Sequence, residues 1–129
     1  MAITGIVIRG SVVWMKLFPT VGHEQSGFRS AIVLSDGIIK SHTNSTLAFI
    51  VPMTTVIKHT PFEVPVPSGI VIDGNLIDKP EIITLAGVVL TDHARTVDLD
   101  ARHAFVIGQI DPSTEFYKKI VSFVRAIIA

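Results

Sequence analysis

Cysteine is absent from the 129-residue chain, which excludes disulfides and thiolate metal sites and leaves the compartment open. Neither charge sign is in excess: eleven Lys and Arg stand against eleven Asp and Glu. A broad basic face is thereby excluded, so any phosphate site must be a local cluster. The longest apolar runs are too short to cross a bilayer, so no membrane association is expected. Residues 1–10 lack the basic region, apolar core and cleavage signal of an export peptide, and a cytoplasmic protein is the default expectation. His23, His42, His59, His93 and His103 are scattered, with no His-Glu-x-x-His helix among them, so neither a metal nor another cofactor is expected. A Walker loop, a dinucleotide fingerprint and a Gly-x-Ser-x-Gly elbow are missing as well.

Apolar residues are plentiful. They make up 48% of the chain against 17% charged, with a mean hydropathy of +0.54. That is ample material for one folded domain spanning 1–129, and enough surplus to suggest self-association. Short apolar runs separated by Gly, Pro, Ser and Asn fill the first three quarters. Strands are predicted at Ser11–Leu17, Ala31–Leu34, Leu47–Val51 continuing through Pro52 to Thr55, Gly87–Thr91 and Phe105–Ile110. Phe62–Val66, bracketed by prolines, reads as an edge strand. Asp73-Gly74-Asn75 offers a hairpin turn between two Ile-rich pieces, within a stretch from Ser68 to Leu85 that fits no clear element. Such spacing implies an all-β barrel or sandwich.

The end of the chain differs. Asp111-Pro112-Ser113-Thr114-Glu115 has the composition of a helix start, with an Asx or Ser cap, an early proline and an acid near the positive dipole end. Phe116, Ile120, Phe123, Val124, Ile127 and Ile128 then recur at helical spacing, predicting one amphipathic helix packed on the barrel.

Chemistry concentrates between Pro19 and Arg29, where His23, Glu24, Gln25 and Arg29 lie beside flexible glycines. Arg29 offers forked donors for phosphate, and Glu24 or His23 can move a proton. A solvated loop whose Glu24 and Arg29 simply pair has the same composition. Thr54 and Thr55 close an apolar strand where a hydroxyl could face a cleft, although Thr is also an ordinary β-former. Asp92-His93-Ala94-Arg95-Thr96-Val97-Asp98 forms a second polar cluster, in which Arg95 and Asp98 could merely staple the turn after a strand.

Four motifs, in order, resemble the MazF/PemK toxin family over nearly the whole chain. Arg9-Gly10-Ser11-Val12-Val13-Trp14 is similar to the family's opening Arg-Gly-(Asp/Glu)-(Ile/Val)-Trp strand. Pro19 to Arg29, PTVGHEQSGFR, resembles its Pro-x-x-Gly-x-Glu-Gln-x-Gly-x-Arg-Pro loop and is the most specific match. Ile50-Val51-Pro52-Met53-Thr54-Thr55 resembles a Val-Pro-Ile-Thr strand, and Leu90 to Asp98 a Leu-x-x-Gln-x-Arg-Thr-(Ile/Val)-Asp segment. Ile107-Gly108-Gln109-Ile110 before a helix fits the family's end.

The resemblance implies an SH3-like small β-barrel with a C-terminal helix, paired as a homodimer and inhibited by a cognate antitoxin whose C-terminal tail lies in the dimer groove. It implies metal-independent cutting of single-stranded RNA by attack of the 2′-hydroxyl, leaving a cyclic or 3′-phosphate and a 5′-hydroxyl. Arg29 is carried over as the stabiliser of the phosphorane and, alternatively, as donor of the leaving-group proton, Thr54 as the hydroxyl holding the scissile phosphate, and Glu24 as the base with His23 assisting. Gln25, Ser26, Thr55, Asp92 and Arg95 are carried over as RNA contacts, Asp92 also matching a carboxylate that some plasmid-borne relatives use as base. Three positions depart from the pattern. Ser30 replaces a proline and is expected to loosen the backbone aiming Arg29, His93 stands where Gln is usual, and Leu90 where those relatives have Arg. Two other functions share the fold: a CcdB-like topoisomerase poison, and a catalytically inert relative that only binds antitoxin.

Overall fold

The computed structural model describes residues 5–16 and 28–128. Seven strands and one α-helix occur in the order β1 (Ser11–Lys16), β2 (Phe28–Val33), β3 (Leu47–Thr54), β4 (Glu63–Pro65), β5 (Val88–Leu90), β6 (Arg95–Asp98), β7 (Phe105–Gln109) and α1 (Glu115–Ile128). Every strand pairing is antiparallel. The path through the sheet is β4-β5-β3-β2-β1-β7, with β6 also pairing β3. At the open side, Ile72 bridges Gly108 of β7 and the Asp73 amide donates to the Ile107 carbonyl at 2.8 Å. The sheet thus curls towards a small barrel, as expected from the spacing of the strands.

β1, β2 and β3 are buried on both faces, which explains their runs of apolar residues in place of strict alternation. Val12, Ile32 and Val51 point into one cluster, where Ile120 and Val124 of α1 seal them. Val13, Ala31, Val33 and Ile50 point into a second, closed by Val97 of β6 together with Leu99 and Ala104. Between Val12 and Val13 the pairing with β7 slips by one residue, because Ile107 is the extra member of a bulge. Gly10, at φ +91°, makes the turn into β1, where an added Cβ would lie 2.1 Å from the Ile110 carbonyl oxygen.

Three expectations need correction. The polar cluster at Arg95–Asp98 is a strand, because its alternate residue Val97 fills the second core beneath β3. Asp98 does staple the following turn: its Oδ1 accepts from the Thr46 hydroxyl and from the backbone N–H groups of Asp100 and Ala101. Asp73-Gly74-Asn75 does not make a two-residue hairpin turn; Asp73 caps a 3₁₀ turn at Gly74–Ile77, accepting from the Asn75 amide. The Ile-rich pieces flanking it still pair, through Ile72 to Ile83 and Leu85 to Ile70. On α1, Ile127 and Ile128 are exposed because the helix runs past the barrel, while Tyr117, absent from the predicted face, is buried and donates its hydroxyl to the Val33 and Leu34 carbonyls. The helix cap is Thr114, whose hydroxyl accepts from the Tyr117 amide; Asp111 instead receives the Ser113 amide and hydroxyl one turn earlier.

Ile120→Ala should cost about 2–5 kcal/mol, since Ile120 is fully buried where helix meets sheet. Thr114→Ala should cost about 0.5–2 kcal/mol through the lost cap; denaturant midpoints measure both. The Asp98 carboxyl lies below the ordinary carboxylate range, chiefly through the Thr46 hydroxyl and then the Ala101 N–H, against a smaller opposing effect of burial. A carboxyl held low in the fold stabilises above its unfolded value, and that contribution is lost as pH falls through the lower folded value. Asp98→Asn should therefore be less stable than the parent near neutrality, and the gap should close as pH falls below the ordinary carboxylate range. Parallel curves across a pH series of melts would contradict this.

Candidate functional site

β2 begins beside the point where β3 ends, and the polar residues there sit at the rim. Arg29 leaves the β2 end exposed, with Nη1 donating to the Phe28 carbonyl at 2.7 Å. Ser30, expected to loosen this backbone, pairs with Trp14 inside the β1–β2 ladder, while Arg29 pairs with Met15. The backbone behind Arg29 is therefore held by a neighbouring strand in place of a proline ring.

Thr54 ends β3. Its Oγ1 accepts the Val56 amide at 3.1 Å, so one lone pair is fixed and the hydroxyl proton has no acceptor among the described residues. Gly87 backs it from behind. With φ +108°, Gly87 lies so close that a Cβ would come within 2.3 Å of the Thr54 carbonyl oxygen.

β5 and β6 run along the same edge of β3 but are not continuous. Thr54 pairs with Val88, and Ile50 with Arg95. Four steps along β3 thus face seven along its partner, and the three surplus residues form the 3₁₀ turn Thr91–His93. Thr91 is buried and pins the turn by donating its hydroxyl to the Phe62 carbonyl at 2.6 Å. Asp92 and His93 are left projecting, with His93 Nε2 and Asp92 Oδ1 3.8 Å apart.

These pieces enclose a cleft of about 520 Å³. Arg29, Thr54, Asp92 and His93 line it, with Leu90, Lys58 and Glu63 on the remaining walls. Glu63 is occupied structurally: its two carboxylate oxygens accept the Lys58 amide at 3.1 Å and the His59 amide at 2.9 Å. That grip holds the β3–β4 connection, including His59 at φ 58°, against the cleft. A smaller cleft of about 260 Å³ adjoins the first across Arg29 and Thr54. Its wall carries Thr55, Trp14 and Phe28, the two rings stacked with centroids 6.2 Å apart and planes 20° from parallel.

Of the residues singled out in the sequence, Arg29, Thr54, Thr55 and Asp92 converge here. Arg95 does not; it sits on β6 and lines neither cleft. Glu24, His23, Gln25 and Ser26 lie outside the described residues. Lys58, Glu63, His93, Trp14 and Phe28 were not picked out as site residues. His93 had a signal as a member of the second polar cluster and Trp14 as part of the opening motif, whereas Lys58 gave none. Among the described residues no group of three His, Asp or Glu side chains could hold a metal ion, and no helix is long and apolar enough to cross a membrane.

Residues 8–126 match the model of the PemK-like, MazF-like toxins of type II toxin–antitoxin systems. The chain belongs to this family. Among relatives of this PemK/MazF chain, the endoribonuclease toxin MazF of Escherichia coli K12 is 35% identical over 103 residues, covering 80% of the chain and 78% of that protein. A MazE–MazF crystal structure from Deinococcus radiodurans superposes with a TM-score of 0.73 at 27% identity, covering 96% of both chains. A mycobacterial endoribonuclease in complex with its cognate antitoxin shares the fold, at TM-score 0.60 and 20% identity over 94% of this chain and 91% of that one.

Gly87→Ala should press on Thr54 and cost about 1–3 kcal/mol in strain. The Val56 amide resonance should shift, because its acceptor moves, while that of Ile32 stays in place. An unchanged melting temperature with an unmoved Val56 signal would contradict the close approach.

Proposed function

We propose that this PemK/MazF family chain is an endoribonuclease toxin that cuts single-stranded RNA without a metal and is held inactive by a cognate antitoxin. The observation that carries the reading is the pairing of Arg29 with Thr54 between two clefts. A guanidinium and an oriented hydroxyl, neither with a carboxylate partner among the described residues, form a donor pair suited to a phosphodiester. The name of the Escherichia coli relative supports the same activity.

The 2′-hydroxyl attacks the adjacent phosphorus, the P–O5′ bond breaks, and the products are a cyclic phosphate (or the derived 3′-phosphate) and a 5′-hydroxyl. Arg29 meets the charge that grows on the phosphorane, and Thr54 holds a non-bridging oxygen. Glu24, assisted by His23, is assigned the 2′ proton, and Gln25, Ser26, Thr55 and Asp92 contact the strand. The Trp14–Phe28 pair offers a face on which an unstacked base can lie beside the scissile phosphate.

A single domain, assembled as a homodimer, completes the reading. Val56 lines the larger cleft, and Val56, Ile57 and Phe62, the last two next in sequence to its lining residues Lys58 and Glu63, expose 60%, 53% and 39% of their surfaces. They suit the apolar side chains of an antitoxin tail that also places a carboxylate near Arg29 and orders on binding.

Purified protein should cut a long RNA in excess EDTA and leave 5′ ends that polynucleotide kinase labels directly; rescue only by a divalent ion would overturn the mechanism. Arg29→Ala should lose at least about 100-fold in rate, the scale of one lost transition-state donor. Thr54→Ala should lose about 2- to 13-fold, matching one neutral hydrogen bond of roughly 0.5–1.5 kcal/mol. Sequencing of the new 5′ ends supplies the cut site.

A further inference from the structure

We propose that His93 is the general acid that protonates the departing 5′ oxygen, a role that rests on the ribonuclease reading above. In this step the 2′-oxygen–phosphorus bond forms and the phosphorus–O5′ bond breaks. The 2′ proton passes to the base of the ribonuclease reading, and a ring N–H of His93 delivers its proton to O5′. The imidazole leaves the step neutral and regains its proton from solvent.

The position of His93 follows from the three-residue insertion between β5 and β6. Thr91 anchors the turn to the Phe62 carbonyl, so the next two residues must project from the sheet. His93 closes the turn and Leu90 precedes it, and both line the cleft that Arg29 and Thr54 share. The Asp92 carboxylate, 3.8 Å from Nε2, gives the ring an electrostatic anchor on the same turn.

Among the described residues that line the cleft, elimination leads to the same residue. A guanidinium is too weak an acid to serve in the step, and so is a threonine hydroxyl. Lys58 reaches the cleft on a flexible stem that fixes no single position for its ammonium. The carboxylate of Glu63 is spent on two backbone amides. Imidazole is the side chain that commonly exchanges a proton between about pH 5 and 8, the range in which a general acid is most effective. Its exposure, 58%, leaves it open both to substrate and to reprotonation.

The test uses two oligonucleotides carrying the mapped cut site, one natural and one with sulfur in place of the bridging 5′ oxygen at the scissile bond. A thiolate departs without protonation, so a general acid becomes dispensable. His93→Gln should slow cleavage of the natural RNA by about 10²- to 10³-fold, yet cut the sulfur substrate as fast as the parent. Arg29→Ala should remain slow on both, because phosphorane charge is present in each reaction. A His93→Gln rate near the parent's on natural RNA would overturn the role, as would an equal deficit on both substrates, which would mark His93 as a positioning residue. A parent protein inert towards both RNAs would instead overturn the ribonuclease reading itself.

Discussion

β3 pairs along both edges, and that double pairing sets almost everything else. One edge takes β2 through Ala31–Pro52 and its neighbours; the other takes β6 at Leu47–Ile50 and β5 at Met53–Thr54. A strand so used has no free edge over most of its length, so its amides and carbonyls are satisfied by backbone on either side. Its side chains alternate between two cores. Pro52 is tolerated inside it because the opposite edge is interrupted there, where the 3₁₀ turn replaces a continuous ladder.

The cleft is a by-product of that interruption. Because β5 and β6 cannot share one register along β3, three residues are expelled, and they stand opposite the end of β2. The scaffold thereby brings Arg29, Thr54 and the Asp92–His93 pair together from three separate stretches of sequence without any burying of charge. In a chain with no net charge, local placement has to supply what a basic surface would otherwise provide. Here two cations, Arg29 and Lys58, share the cleft with one carboxylate already engaged by the backbone and one beside an imidazole.

The barrel was legible in the sequence because five apolar runs of strand length stood between clear turn residues, and the capped helix because Thr114 and its neighbours announce it. β6 was not, since Arg95-Thr96-Val97-Asp98 carries a single apolar side chain and its strand character comes from pairing with β3. Ser68 to Leu85 resisted assignment for a related reason: Ile70 to Ile72 and Ile82 to Leu85 pair across a nine-residue excursion that only the closed barrel holds together. Of the site, Arg29 and Thr54 were readable from the family resemblance. His93 appeared only as one member of a polar cluster and as a departure from a pattern. What it does depends on where the register slips, and a register slip has no signature in composition or periodicity.

The turn at Thr91–His93 also bears on how such a protein diversifies. Its flanks are fixed by strand pairing and its first residue by a bond to Phe62, whereas Asp92 and His93 touch no core. Substitution at those two positions is nearly free of structural cost, while each change rewrites the acid–base character of the cleft. The fold is in this sense modular at the scale of two residues. Lineages can exchange proton-handling groups there without renegotiating the barrel, so chemistry and architecture are able to evolve at different speeds in one small chain.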